Sequence, residues 1–491
     1  MVPAIIIVDA LAMTWLSRQL NLWVDEAYTL HTASSGFAYA LHQAVYWELQ
    51  PPVYFLLIAA IRHVSTSIFA ARLFSIACVA AALWIAGLIS KRLWPDQHPA
   101  WLVIVLAANP FVIGVAVEVR VYALAFLLSA ALVYQFLEGY TGAGSTRAMG
   151  AFVGVAVIAV YTQYYLGFLL PAFALALLAL RRRAELFAYL RAMLIVGVCM
   201  VPILFVLHYQ LSTNSVIVSG EPGLLAALTH EAKALTAGIL AVEWMPRGAR
   251  SVFAFGLLLA TIVLVMTLRR RAEAPPPMAA FPFIVVAAAG GLLGIAVAAT
   301  HQEITVRYAT GLVLPAMLTI YGAFALIPPR PRSIVLAAWT VLILVASAGA
   351  FASEYKEMAK NGDWVRVASY IQRYEQPGEP IVVFDAQSAL PLQLYYRGPN
   401  RITPLPRPVD FQRYDLRESA LRSTRDVSDV FERAGSAGGS FWLVTTTTCR
   451  REPINFRCEL LEEYVQRHFA VRRDEGFFLS RVRLLQRHTH T

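Results

Sequence analysis

The chain is poor in charge. Asp, Glu, Lys and Arg make up only 15% of its 491 residues, against about 25% in a soluble globular domain. Acids are scarcest where the chain is most apolar: 18 of the 31 fall from Glu354 onward, leaving 13 in the first 353 positions. With 58% hydrophobic residues, this excludes a single soluble globule and places the first part of the chain in lipid. Cysteine is sparse too, with four in all, which excludes a disulfide-stapled scaffold. Cys78 and Cys199 fall inside apolar runs, while Cys449 and Cys458 bracket a short polar loop. The latter two can pair if that loop faces an oxidising compartment, and stay thiols otherwise. Neither an internal repeat nor a low-complexity tract is evident. The first apolar run carries Asp9 and lacks a basic leader and a small-residue cleavage site, so it reads as a retained span.

Long apolar runs dominate what is there. Segments near the 20 residues needed to cross a bilayer occur at 3–20, 72–91, 99–116, 120–138, 147–163, 165–181, 187–208, 248–268, 279–299, 307–327 and 333–353. The net charge of +10 does not mark a nucleic-acid partner, because the basic residues cluster beside these runs. If the first span runs outward, the loops at Lys91-Arg92, Arg147, Arg181 to Arg191, Arg269 to Arg271 and Arg330-Pro331-Arg332 all face the cytoplasm, as the positive-inside rule requires. Asp25, Glu26, Glu48, Glu118, Glu221, Glu231, Glu243 and Glu303 then all lie outside, and an odd number of spans puts the tail outside as well. The Pro275-Pro276-Pro277 cluster reads as a cytoplasmic linker.

The stretch 51–63 is apolar but too short to cross. It predicts a pair of juxtamembrane helices, 36–48 and 52–63, within a structured outer loop spanning 21–71. The predicted fold is thus a polytopic α-helical membrane protein of about 11 transmembrane helices (1–353) followed by a soluble α/β domain (354–491). In that domain Asp363 is placed to cap a helix ended by Pro377-Gly378-Glu379-Pro380, and 381–385, 441–447 and 477–484 read as strands.

The sharpest local feature is Trp23-Val24-Asp25-Glu26-Ala27-Tyr28, just after the first span. Two adjacent carboxylates at a membrane surface repel each other and are costly to bury. A solvated loop with a capping Asp is the bland reading. Against it stand three further motifs at the same membrane level: Glu118-Val119-Arg120-Val121-Tyr122, Tyr161-Thr162-Gln163-Tyr164-Tyr165 and Glu303-Ile304-Thr305-Val306-Arg307-Tyr308. Mutual neutralisation would account for each acid and arginine singly. Together they outline a cavity with carboxylates, arginines and tyrosines. Guanidinium forks suit phosphate, aromatic rings suit sugar faces at an interface, and a carboxylate can serve as general base.

On these residues the chain resembles the GT-C class of membrane glycosyltransferases, most closely the protein O-mannosyltransferase and aminoarabinose lipid A transferase group. The resemblance rests on Asp25-Glu26, Pro51-Pro52-Val53-Tyr54, Arg72-Leu73-Phe74-Ser75, Glu118-x-Arg120-x-Tyr122 and Arg307-Tyr308 leading to Pro315. It covers the body to about residue 326, and the tail more loosely. It implies transfer of a sugar from a polyprenyl-phosphate donor to a lipid, glycan or protein acceptor at the extracytoplasmic face of the inner or plasma membrane. In that reading Asp25 activates the acceptor and Glu26 orients substrate. Arg72, Arg120 and Arg307 lie near the donor phosphate, with Tyr54, Glu118, Tyr122, Gln163, Tyr164 and Tyr308 around the substrate. The sequence departs from the family at Gln50 and Gln163, where relatives often carry histidine or lysine, and histidine, respectively. Both changes remove metal or phosphate ligands. No cofactor is fixed by the sequence; a divalent metal stays open, with Glu48, His301 and Glu303 as candidate ligands. A one-step displacement would invert the anomeric centre. A transporter or lipid flippase is the rival reading, and it predicts repeats and charges at the midplane rather than at one surface.

Overall fold

In lipid every backbone polar group needs an internal partner, so apolar runs must become helices. The structure, a computed structural model, describes residues 1–141, 144–213, 223–251, 280–301, 304–413, 415–436, 438–446, 449–451 and 454–488. The chain begins with α1 (Val2–Gln19), α2 (Val24–Thr32), α3 (Phe37–Tyr46), α4 (Val53–Val64), α5 (Ile68–Leu93), α6 (Ala100–Ala107), α7 (Pro110–Ala116), α8 (Tyr122–Tyr140) and α9 (Thr146–Thr162). It continues with α10 (Leu169–Ala179), α11 (Arg183–Thr213) and α12 (Leu224–Ala234), then helices Phe281–Ala299, Val313–Ala325 and Pro329–Glu354.

Of the eleven expected spans, six correspond among the described residues to helices long and apolar enough to cross: Ile68–Leu93, Tyr122–Tyr140, Arg183–Ser212, Phe281–Ala299, Val306–Ala325 and Pro329–Glu354. Thr146–Thr162 and Tyr164–Ala179 are shorter apolar helices where two more were expected. The run 3–20 forms α1 but is not among the six. The run 99–116 is not one helix. Pro110 has no N–H and disfavours helix at the residue before it, so α6 stops and Asn109 restarts the chain. Its side-chain oxygen accepts from the Phe111 N–H at 2.9 Å, and its amide donates to the Ile239 carbonyl at 2.7 Å. Most of 248–268, together with Arg269 to Arg271, Pro275-Pro276-Pro277, Glu221 and Glu303, lies outside the described residues.

The juxtamembrane pair forms as α3 and α4. A third short helix, α2, precedes them and carries Asp25 and Glu26 in its first turn. At the far end of the bundle Arg92, in the last turn of α5, pairs with Glu138 of α8.

The tail is an α/β domain, with strands at the runs 381–385 and 441–447 to within a residue. The elements are β1 (Ile381–Phe384), β2 (Ile402–Pro404), β3 (Ser440–Thr446), β4 (Arg450–Arg451), β5 (Ile454–Asn455), β6 (Phe469–Phe477) and β7 (Ser480–Arg487). The main sheet runs β2-β1-β3-β7-β6, parallel across its first three strands and antiparallel beyond. The run 477–484 is not one strand. It holds the end of β6, the turn through Leu479 at φ +53° and the start of β7. Strand period two splits the core. Val382, Phe384, Phe441 and Leu443 face Val430, Phe431, Leu461 and Val465 of helices Thr424–Ala434 and Cys458–His468. Ile381, Val383, Trp442 and Val444 face Trp364, Val367, Ile371 and Leu392 of helices Trp364–Tyr374 and Ala389–Tyr395. Asp363 caps the first of these, accepting from the Arg366 N–H at 3.3 Å.

Cys449 and Cys458 are bonded, and Cys78 and Cys199 are free. Alkylation of the denatured, unreduced protein is therefore expected to label two thiols by intact mass, and reduction to raise the count to all four cysteines of the sequence. Four labels before reduction would contradict the pairing.

Candidate active site

α2 is only nine residues long, too short to hold itself together in isolation, so its position comes from its partners. Glu26 supplies most of them. Its carboxylate is wholly buried and takes the Trp23 N–H at 3.3 Å, the Val119 N–H at 2.9 Å and the Arg72 guanidinium at 3.1–3.2 Å. Arg72 spends its remaining donors on the carbonyls of Ser17 (2.6 Å), Leu20 (2.7 Å) and Asn21 (2.9 Å). Those carbonyls end α1, where a cation also offsets the helix dipole. One ion pair thus joins the end of α1, the start of α2, the body of α5 and the strand of chain before α8.

A second buried group lies on the other side of α2. Arg120 donates to the Asp25 carbonyl at 3.1 Å and to Thr29 Oγ1 at 2.9 Å, and faces Glu48 Oε2 at 3.6 Å. Thr32 Oγ1 donates to Glu48 Oε1 at 3.3 Å. Burial pushes the Glu48 carboxyl above its usual range although Arg120 pulls it down. Glu118 behaves oppositely. Burial raises it, but Lys360 at 2.9 Å and the Arg307 charge together outweigh that, and the group is held below the usual carboxylate range.

Lys360 was not anticipated by the sequence. It comes from the first residues of the tail, and its ammonium sits between Glu118 and Glu26, 3.8 Å from the latter. The chain gets it there with a sharp reversal at Asn361 (φ +46°) and Gly362 (φ +110°). Glycine tolerates that backbone, and a Cβ on it would also strike the Trp364 ring at 2.9 Å. The sequence signal was an Asn-Gly pair directly after a membrane-proximal lysine, which in isolation reads as an ordinary polar linker.

The network balances: four carboxylates, Asp25, Glu26, Glu48 and Glu118, meet four cations, Arg72, Arg120, Arg307 and Lys360. Six of these are buried. Asp25 and Arg307 are the exception, with 34% and 35% of their side chains exposed and Oδ2 3.9 Å from Nη1. Arg307 also lies over the Trp23 ring, 4.4 Å from its centroid, a cation–π contact worth about 0.5–2 kcal/mol. Beside them opens a cavity of about 250 Å³. Its charged groups are Glu118, Arg307 and Lys360 together with Glu243 and Glu354; its flank is apolar, with Phe111, Ile113 and Phe351. Asp25, Arg72 and Arg120 are not in its lining.

The remaining candidates divide. Tyr122 and Tyr54 are buried, and the Tyr54 hydroxyl has no hydrogen-bond partner among the described residues. Tyr308 stacks on Tyr165 at 4.9 Å and 8°. The Tyr164 hydroxyl donates to Gln210 at 2.8 Å, and Gln210 donates to the Val45 carbonyl at 2.9 Å, so Gln210 of α11 joins this tyrosine to α3. Gln163 is buried with neither amide atom bonded among the described residues. Of the metal candidates, Glu48 is engaged by Arg120 and Thr32, His301 is exposed and Glu303 lies outside the described residues. No three His, Cys, Asp or Glu side chains are placed together to hold a metal ion among the described residues.

Removing one partner of a buried pair strands the other charge. Glu26→Gln is therefore expected to cost about 3–5 kcal/mol, read as a lowered unfolding midpoint in detergent. Arg307→Gln, at the exposed mouth, should cost about 0–1 kcal/mol. Equal midpoints for the two variants would contradict the division between buried and exposed pairs.

No family model matches the sequence, and no curated protein matches it. Two solved structures match the fold over nearly its whole length. ArnT from Cupriavidus metallidurans bound to undecaprenyl phosphate aligns with a TM-score of 0.60 at 13% identity, covering 98% of this chain and 97% of that one. The same protein in the apo state gives 0.61 at 12% identity, with the same coverage. At such identities the likeness is one of fold: the chain has the ArnT architecture.

Proposed function

We propose that the protein transfers a sugar from a polyprenyl-phosphate donor to an acceptor nucleophile at the extracytoplasmic membrane surface. The observation that carries this reading is the pairing of the accessible Asp25 with the accessible Arg307, which lines a cavity that also holds Lys360, three carboxylates and an apolar flank. A prenyl chain suits the apolar flank, and a phosphate suits the end where Arg307 and Lys360 converge. The ArnT fold, seen elsewhere with undecaprenyl phosphate bound, supports the same donor class. The positive-inside distribution of the basic loops supports the outward placement of this end.

The chemistry follows from the donor. Its phosphate departs as a stable anion, so no acid has to protonate the leaving group, in contrast to a glycosidase with two carboxyl groups. Asp25 takes the proton from the acceptor while its oxygen or nitrogen forms the new bond to the anomeric carbon. The bond from that carbon to the phosphate oxygen breaks in the same step, which inverts the centre. Arg307 and Lys360 neutralise the phosphate as it leaves. Arg72, expected near the phosphate on sequence grounds, has its donors committed to protein partners; Arg120, whose Nε has no hydrogen-bond partner among the described residues, is buried outside the cavity lining, and both serve as the frame. Glu26 belongs with them. Its neighbour Asp25 remains the base.

Purified protein given a lipid-linked sugar is expected to release polyprenyl phosphate only when an acceptor is present. Movement of the lipid across a vesicle membrane without sugar transfer would favour the transporter reading instead. Asp25→Asn should lower turnover by about 10²–10⁴, and Arg307→Gln should cost a few kcal/mol of transition-state stabilisation, on the order of 10² or more in kcat. Near-normal turnover by Asp25→Asn would remove that residue from the mechanism.

A further inference from the structure

We propose that the Asp410-Phe411 tip of the C-terminal domain is the positioning element for Asp25, locking α2 from the side opposite the Glu26–Arg72 pair. The proposal rests on the reading of Asp25 as the base. The Phe411 ring stacks on His31 of α2 with centroids 3.5 Å apart and planes 20° from parallel. It also meets Trp47 at 5.0 Å and the edge of Tyr28 at 6.5 Å. Trp47 and Tyr28 are themselves 4.8 Å apart, edge on, and the Trp47 indole donates to the Asp410 carbonyl at 2.8 Å. Behind His31, its Nε2 is 2.9 Å from the Tyr39 hydroxyl of α3. A phenylalanine from the tail therefore fills an aromatic cage built by α2, α3 and the residue that ends α3.

This matters because the two ends of α2 are held differently. Its first turn is fixed by Glu26, and Arg120 holds the Asp25 carbonyl and Thr29. From Tyr28 onward the aromatic contacts of Tyr28 and His31 take over, alongside the Thr32–Glu48 hydrogen bond. Tyr28 lies one turn from Asp25 on the same helix face, so a tilt of the second half carries the carboxylate with it. The Asp25–Arg307 separation of 3.9 Å leaves little tolerance, since a displacement of about 1 Å can cost about 10²-fold in rate. Two further bonds tie the tail to the same junction: the Leu22 N–H donates to the Tyr395 hydroxyl at 2.7 Å, and Asn21 donates to the Lys360 carbonyl at 3.0 Å. Those bonds lie before α2; Phe411 alone among the tail's rings stacks on the helix itself among the described residues.

The test uses the full-length protein with Phe411→Ala and Phe411→Trp, read by amide hydrogen exchange, by turnover and by the KM for the lipid-linked donor. For Phe411→Ala, exchange in Val24–Thr32 is expected to rise about tenfold or more, while α5 stays protected. Turnover should fall about 10- to 10²-fold at unchanged donor KM, because Arg307 and Lys360 are untouched. Phe411→Trp should restore both. If Phe411→Ala does not accumulate, Phe411→Leu removes the stack while keeping apolar volume. Unchanged exchange in α2, a loss carried wholly by donor KM, or failure of tryptophan to rescue would each overturn the positioning role. Absence of sugar transfer by the wild-type protein would instead overturn the proposed reaction, and the exchange measurement would still decide whether Phe411 holds α2.

Discussion

The contact between Arg72 and Glu26 is the one on which the rest of this site depends. A wholly buried carboxylate and a buried guanidinium are tolerable only because each is saturated: Glu26 by two backbone N–H groups and two cations, Arg72 by three carbonyls and Glu26. Such a pair contributes little net stability against apolar residues of equal size, yet it is expensive to half-remove. What it supplies is register. Four pieces of chain distant in sequence can satisfy these two side chains only in one mutual arrangement.

That arrangement explains why two adjacent carboxylates have different fates. Successive residues on a helix point about 100° apart, so a helix that buries Glu26 against Arg72 must turn Asp25 elsewhere. It turns toward Arg307 and the cavity mouth, where both side chains keep about a third of their surface. The balance of four acids and four cations keeps the cluster near neutral, which limits the cost of taking so many charges out of water. A neutral but polar surround, with one exposed cation beside an exposed carboxylate, is a setting in which a developing anion can be stabilised by groups already in place.

The C-terminal domain enters the same structure rather than hanging from it. It contributes Lys360 to the charge network, Tyr395 to the turn between α1 and α2, and Asp410 and Phe411 to the aromatic cage on α2. Much of this was invisible in sequence. Lys360 sits among Lys356, Glu357 and Asp363, a stretch that looks solvated, and only the backbone reversal at Asn361-Gly362 brings it inward. The strand read at 477–484 was displaced because Leu479 adopts a left-handed turn that an apolar residue does not advertise. The break at Asn109-Pro110 was legible, and was overridden by the continuous apolar run around it.

By itself the sequence determined that the body lies in lipid, that short helices follow the first span, that the tail is α/β, and that Asp25, Glu118, Arg120 and Arg307 share one end of the bundle. Apolar run length, strand period and the grouping of charges are local properties, so they survive without coordinates. Only the tertiary structure decided which charges neutralise one another and which remain at the mouth. That outcome depends on burial and on distances between groups far apart in the chain, as with Arg72 and Glu26 or Lys360 and Glu118, and no local pattern encodes it.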